Sequence, residues 1–331
     1  MKNKKILFFC TFILLTSNKK WADDLIFDNN PENILIQNPS QINNDEYNFK
    51  VGMLFENENT QSNSDKKGVF EQTYYLEYEK DNWHFYGGFY QENHNVSSYY
   101  KTKGRDSWFD RYETNLRYQS RITDNIELGL LSGFRYYRWH HRGPENQEHV
   151  YNTLRYDIQP DWKVTLTDNL NFAGWLGLFN YYNHIEKNEL TDKEIEGETG
   201  FNYAFNETFS ASLNYYINQG WNKGSRSSAE FAQQEIRLYF PINLSLFADQ
   251  PTTLTPYYRH TLDTYHFDDE RNKKKHERDR RYGLLLEQNI TDRLFISLEY
   301  ALETQKQSYA NEGEKRHYYF HYSGLNLSYR F

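Results

Sequence analysis

Six arginines stand where a period-two pattern turns the polar face of a strand inward: Arg111, Arg135, Arg155, Arg237, Arg259 and Arg281. Eight glutamates hold positions of the same kind: Glu56, Glu77, Glu92, Glu113, Glu198, Glu235, Glu287 and Glu299. Both signs spread along the whole chain do not make a catalytic set. They suit a wall in contact with water, where they solvate the surface, pair with one another and meet passing solutes. Mixed signs also argue against a filter built on a single charge.

Other chemistry is sparse. The 11 histidines are scattered, and His140-His141 reads as part of an external loop. The sequence holds no zinc spacing, no glycine-rich phosphate loop and no nucleophile elbow. Neither metal nor cofactor nor nucleic acid is expected as a partner. Its single cysteine, Cys10, lies in an apolar run from Ile6 to Leu15 that follows Lys2, Lys4 and Lys5. That run is too short to span a membrane and reads as an export signal, residues 1–22, cleaved after Ala22. Cleavage removes five lysines and no acid, taking the formal charge from −8 to −13. The mature chain then carries no thiol for disulfides, thiolate catalysis or Cys-based zinc. Residues 23–46 form a polar extension without an assigned element.

The charged residues need elements that alternate. In Tyr47–Glu56, Tyr47, Phe49, Val51, Met53 and Phe55 share one face, opposite Asn48, Lys50, Gly52 and Glu56. Ile296, Leu298, Tyr300 and Leu302 repeat the pattern opposite Ser297, Glu299, Ala301 and Glu303. Aromatics make up 18% of the chain, with 30 Tyr and 23 Phe, so rings rather than aliphatics carry much of the apolar surface. That suits strands facing lipid and headgroups. Trp83, Phe85, Phe89, Tyr136, Tyr215, Tyr300 and Tyr329 fall outward, as interface anchors. Tyr86, Tyr90 and Tyr137 fall inward, as plain wall or as a surface on which sugars could stack.

Tight turns centre near Asp81, Asp124, Asp168, Glu207, Ala248 and Asp292, at nearly even spacing. Several share chemistry: Thr123-Asp124-Asn125, Thr167-Asp168-Asn169, Asn206-Glu207-Thr208 and Thr291-Asp292-Arg293. Asp and Asn side chains bond nearby backbone amides and favour turns. Six turns joining six strand pairs, plus a first strand from Tyr47 and a last one closing at Phe331, give fourteen strands. The expected fold is all-β: an antiparallel transmembrane barrel over residues 47–331, with short periplasmic turns and long external loops. A β-propeller has a similar repeat, but its Gly-His and Trp-Asp signals do not recur here. Fourteen strands about 4.8 Å apart and tilted about 40° give a backbone diameter of roughly 28 Å, and roughly 15 Å between inward side chains.

The last strand alternates Leu325, Leu327 and Tyr329 with polar residues and ends in Phe331. This terminal aromatic is similar to the insertion signal of outer-membrane barrels and implies engagement with the barrel-assembly machinery. Further segments resemble the outer membrane protein G family of fourteen-stranded porins. They include Trp108-Phe109-Asp110-Arg111, Gly133-Phe134-Arg135, Pro160-Asp161-Trp162 and Leu166-Thr167-Asp168. Glu198-Thr199-Gly200, Phe205-Asn206-Glu207-Thr208, Asn214-Tyr215-Tyr216, Gln234-Glu235-Ile236-Arg237 and Ser297-Leu298-Glu299-Tyr300-Ala301 follow in family order. The resemblance implies a non-specific channel for ions and small oligosaccharides, one pore per chain, set in outer-membrane lipid and lipopolysaccharide. It also implies an arginine at each of the six inward positions. A barrel hydrolase and a loop-mediated adhesin or receptor are the alternative classes.

The chain departs from the family at the gate. The family closes at acid pH through a mobile external loop and two histidines on neighbouring strands. Here Glu277 holds the first position, with His276 one residue before it, and Gln307 holds the second. The equivalent loop carries a basic run: Arg271, Lys273, Lys274, Lys275, Arg278 and Arg280. Such a run either meets lipopolysaccharide phosphates or is drawn toward acidic groups of the interior.

Overall fold

The computed structural model describes residues 49–60, 66–96, 107–142, 148–183, 189–222, 231–247, 250–268, 273–309 and 315–331. The proposed signal, the polar extension and Tyr47 lie outside the described residues. The segments are β1 (Phe49–Thr60), β2 (Lys66–Lys80), β3 (Trp83–Val96), β4 (Ser107–Thr123), β5 (Ile126–Arg142), β6 (Glu148–Thr167), β7 (Leu170–Asn183) and β8 (Glu189–Ala204). They continue as β9 (Ser210–Asn222), β10 (Phe231–Tyr239), β11 (Ile242–Phe247), β12 (Gln250–Asp268), β13 (Lys273–Asn289), β14 (Leu294–Tyr309) and β15 (Lys315–Arg330).

Chain neighbours pair antiparallel, and β1 pairs with β15 from Lys50↔Arg330 to Thr60↔Phe320, so the sheet closes on itself. Both β10 and β11 pair with β12, which makes them two halves of one wall strand. The strand breaks at Phe240-Pro241 because proline has no N–H to give the ladder. Hydrogen bonds bridge the break: Phe240 N–H donates to the Pro256 carbonyl at 3.0 Å and Ser210 N–H to the Pro241 carbonyl at 3.1 Å. The wall is therefore the expected fourteen-stranded barrel.

The turns use the chemistry their sequences carry. Thr123 Oγ1 accepts from Asn125 N–H and Thr167 Oγ1 from Asn169 N–H, each at 3.3 Å. Thr291 Oγ1 accepts from Leu294 N–H at 2.9 Å, and Asn206 Oδ1 accepts from Phe209 N–H at 2.8 Å. Asp81 takes the left-handed conformation, φ 53°, that a two-residue hairpin needs and that Asp tolerates. The turn expected at Ala248 lies outside the described residues.

Register gives the barrel its size. Gly52, Tyr75, Gly88, Glu113, Arg135 and Arg155 stand directly opposite one another on β1 to β6. Followed around the wall, the register returns to β1 displaced by about 16 residues, which for fourteen strands means a tilt near 40° and a backbone diameter of roughly 27 Å. The outer face is apolar and open: Leu130 is 53% exposed, Phe134 50% and Leu298 44%. A continuous band of this kind belongs in lipid. At the short-turn end the first residue of β1 meets the residue that follows β15. Phe331 N–H donates to the Phe49 carbonyl at 2.9 Å, and the two rings lie 5.8 Å apart.

Candidate functional site

Alternation sends one residue in two from every strand into the barrel. Arg111, Arg135, Arg155, Arg237 and Arg281 are buried on that face, and Arg259 stands there between Arg237 and Arg281. Glu56, Glu92, Glu113, Glu198 and Glu235 are buried inward as well. Glu77, Glu287 and Glu299 are half-buried on the same face.

Cross-strand register sorts the charges by sign. Arg237, Arg259 and Arg281 face one another in a row on β10, β12 and β13. On the far side Arg135 stands opposite Arg155, with Arg111 on the neighbouring strand. Glu56, Glu71 and Glu92 form a row on β1, β2 and β3. Glu194, Glu196 and Glu198 run along β8. Counted around fourteen strands, the two arginine sectors lie on nearly opposite walls, with a carboxylate sector in each gap.

Adjacent like charges need mediators, and the structure supplies them. Asp157 accepts from Arg155 Nη2 at 2.7 Å and lies 3.5 Å from Arg135 Nε. Glu113 lies between Arg111 at 3.1 Å and Arg135 at 3.2 Å. Arg237 contacts Glu198 at 2.5 Å and Glu235 at 3.0 Å. Aromatic faces carry the rest. The guanidinium of Arg237 sits 3.5 Å from the Tyr216 ring centroid, that of Arg155 4.1 Å from Phe179, that of Arg111 4.3 Å from Tyr90 and that of Arg281 4.6 Å from Tyr322. Such stacking holds a cation where it is less hydrated. Tyrosine hydroxyls donate to the acids: Tyr90 to Glu92 at 2.7 Å, Tyr181 to Glu194 at 2.7 Å, Tyr216 to Glu196 at 2.6 Å and Tyr322 to Glu56 at 2.5 Å.

The sequence reading missed Glu71, Asp157, Glu194, Glu196 and Asp279, all buried on the inward face, where Glu303 also lies as its alternation implied. Carrying the alternation through every strand finds them; Glu194-Ile195-Glu196-Gly197-Glu198 states it outright. The inward tyrosines Tyr86, Tyr90 and Tyr137 belong to a longer aromatic track. Tyr75 stacks on Tyr86 at 6.0 Å, Tyr90 meets Phe109 at 5.4 Å, and Phe109 meets Tyr137 at 6.2 Å and Trp139 at 4.3 Å.

The gate region requires corrections. Glu277 and Gln307 do face each other inward on β13 and β14. His276 instead stands on the outward face, with its ring 6.4 Å from Tyr265. The basic run is not a loop from Lys273 onward. It is the upper part of β13, held by Asp268↔Lys273 and Lys275↔Tyr309, because the ladder continues beyond the lipid-facing band. Alternation divides the run between two faces. Lys275 points inward, 3.2 Å from Glu277, while Arg278 and Arg280 are exposed outside. Arg271 and the side chains of Lys273 and Lys274 lie outside the described residues. His140 is likewise strand, not loop: it belongs to β5 and stacks on Trp108 at 4.7 Å.

At the short-turn end, Glu77, Glu79 and His84 bring possible ligand atoms within 4.8 Å of one another. Lys50 already contacts Glu77 there at 2.5 Å, so the group works as an ion-pair cluster.

The chain matches the family model described as Outer membrane protein G (OmpG) over residues 44–329. It is 34% identical over 291 residues to "Outer membrane porin G" of Escherichia coli (strain K12), covering 86% of this chain and 92% of that one. Among solved structures, the TodX deltaS2S3 mutant monoaromatic hydrocarbon channel aligns with a TM-score of 0.57 at 9% identity, over 92% of this chain and 95% of that one. The Pseudomonas putida toluene transporter TodX aligns with a TM-score of 0.54 at 9% identity, over 90% and 93%. At that identity these two likenesses concern the barrel fold alone.

Proposed function

The chain belongs to the outer membrane protein G family, and from that premise we propose that each copy forms a pore of its own for ions and small hydrophilic solutes, oligosaccharides included. It is a porin of the Gram-negative outer membrane. The observation that carries the solute range is the sorted interior. Two arginine sectors and two carboxylate sectors put both signs on the inner wall, so no single charge governs the interior. Closure of β1 on β15 within one chain supports one pore per copy.

The sugar part of this reading rests on membership of the porin family, since the inward rings Tyr86, Tyr90, Phe109, Tyr137 and Trp139 are themselves buried. Liposome swelling tests it. Vesicles holding refolded protein should swell in arabinose and in maltotriose, with rates falling smoothly with size. Ion conductance together with exclusion of maltotriose would overturn the oligosaccharide reading and leave an ion channel.

A further inference from the structure

We propose that the outer wall of β13 and β14, at the level of the outer-leaflet headgroups, is a binding site for lipopolysaccharide phosphates, held by Arg278, Arg280 and Lys306. The inference rests on the outer-membrane placement of the barrel and not on what passes through it.

The outward face of β13 reads downward as Arg278, Arg280, Tyr282, Leu284 and Leu286, and that of β14 as Lys306, Thr304, Leu302, Tyr300 and Leu298. Charge gives way to mixed aromatic and aliphatic residues as each strand enters the apolar band. That order places the cations where anionic headgroups lie and the rings at the boundary. Tyr282 and Tyr300 are half exposed, at 53% and 51%.

Register then aligns the cations. Arg278 stands directly opposite Lys306, and Lys306 directly opposite His317 on β15. His260 on β12 stands opposite Arg280. Side chains opposite each other on one face have Cβ atoms about 5 Å apart, and like charges so placed destabilise a sheet. Among the described residues no carboxylate pairs with Arg278, Arg280 or Lys306. Inside the barrel the same problem is met by Glu113 and Asp157; outside it is left open. Away from this sector the outward residues above the apolar band include the amides Asn57, Gln72, Gln91, Gln219 and Gln234. Elsewhere the outward cations above the band stand singly, Arg138 on β5 opposite Asp110 and Lys193 on β8, whereas this sector groups Arg278, Arg280 and Lys306.

An anion bridging Arg278 and Lys306 removes the repulsion. A phosphate has three oxygens for charge-assisted hydrogen bonds, and a guanidinium fork matches two of them. In the outer leaflet the abundant phosphates are those on the sugar headgroup of lipopolysaccharide, whose acyl chains then cover Tyr282, Leu284 and Leu302. Charge and apolar surface meet the same lipid.

The test uses full-length barrel refolded in detergent, titrated with lipopolysaccharide and followed by native mass spectrometry. The variant R278Q/R280Q/K306Q should bind at least tenfold more weakly, while R278K/R280K/K306R should stay near wild type. Dephosphorylated lipopolysaccharide should bind wild type as weakly as intact lipopolysaccharide binds the glutamine variant. Wild-type affinity in the glutamine variant would overturn the site. So would equal binding of the dephosphorylated lipid, which needs no variant to fold. Equal loss in the distant control R138Q/K193Q would assign the effect to overall charge, and full competition by phosphatidylglycerol vesicles would assign it to any anionic surface; either outcome refutes the proposal. Conductance should be unchanged in the glutamine variant, which keeps this test apart from that of the pore.

Discussion

Gln307 donates a 2.9 Å hydrogen bond from Nε2 to Glu277 Oε1 across the paired strands β13 and β14. Gln305 accepts a second bond from the same Gln307 nitrogen at 2.8 Å, and Lys275 lies 3.2 Å from Glu277. The two inward positions are therefore tied together by an amide, a carboxylate and an ammonium. No imidazole stands at either one.

A gate driven by mutual repulsion of two protonated imidazoles has nothing to work with here, since imidazole is the side chain that charges between pH 7.5 and 5. Open probability should change by less than about twofold over that range. The variant E277H/Q307H should close on acidification, because two imidazolium groups would then face each other. Full closure of the wild type at pH 5, in single-channel records, would place an acid sensor elsewhere.

Facing assignments make a paired prediction on β14. Leu298 points to lipid, while Glu299 points inward, accepting from the Tyr257 hydroxyl at 2.5 Å and lying 3.6 Å from Arg281. Leu298→Arg should cost about 2–4 kcal/mol, the range for arginine on a lipid face near the midplane. Glu299→Arg should fold and shift reversal potentials toward anions, since it extends the arginine row. Normal folding of L298R with a changed reversal potential would invert the facing.

Much of this was legible in the sequence because one period governs everything. Strict alternation and Thr/Asn-anchored turns gave the strands, the strand number and the inward face of all six arginines. Three things were not legible. The break at Phe240-Pro241 was missed because a broken strand still pairs with β12. The length of β13 was missed because a run of lysines and arginines reads as loop, whereas alternation relieves its crowding by sending neighbours to opposite faces. The sorting of charge into sectors was invisible because it depends on which residues stand opposite across strands. Register supplies that, and composition does not.

Asp157 tests the sorting. It stands between Arg155 and Arg135, which the register places directly opposite each other. Asp157→Asn should lower stability by about 1.5–3 kcal/mol, the range for a hydrogen bond to a charged group. It should also raise anion preference by exposing the arginine sector. Urea unfolding and reversal potentials in a salt gradient measure the two effects. An unchanged variant would mean that the arginines are held apart by other groups.

Single-channel recording of refolded protein in a planar bilayer reaches the central claim most directly. One chain closing one barrel predicts discrete conductance steps of a single size, inserted and lost one at a time, with weak ion selectivity. Coupled steps in fixed threes would contradict one independent pore per chain, and a correctly folded barrel without conductance would contradict the pore itself.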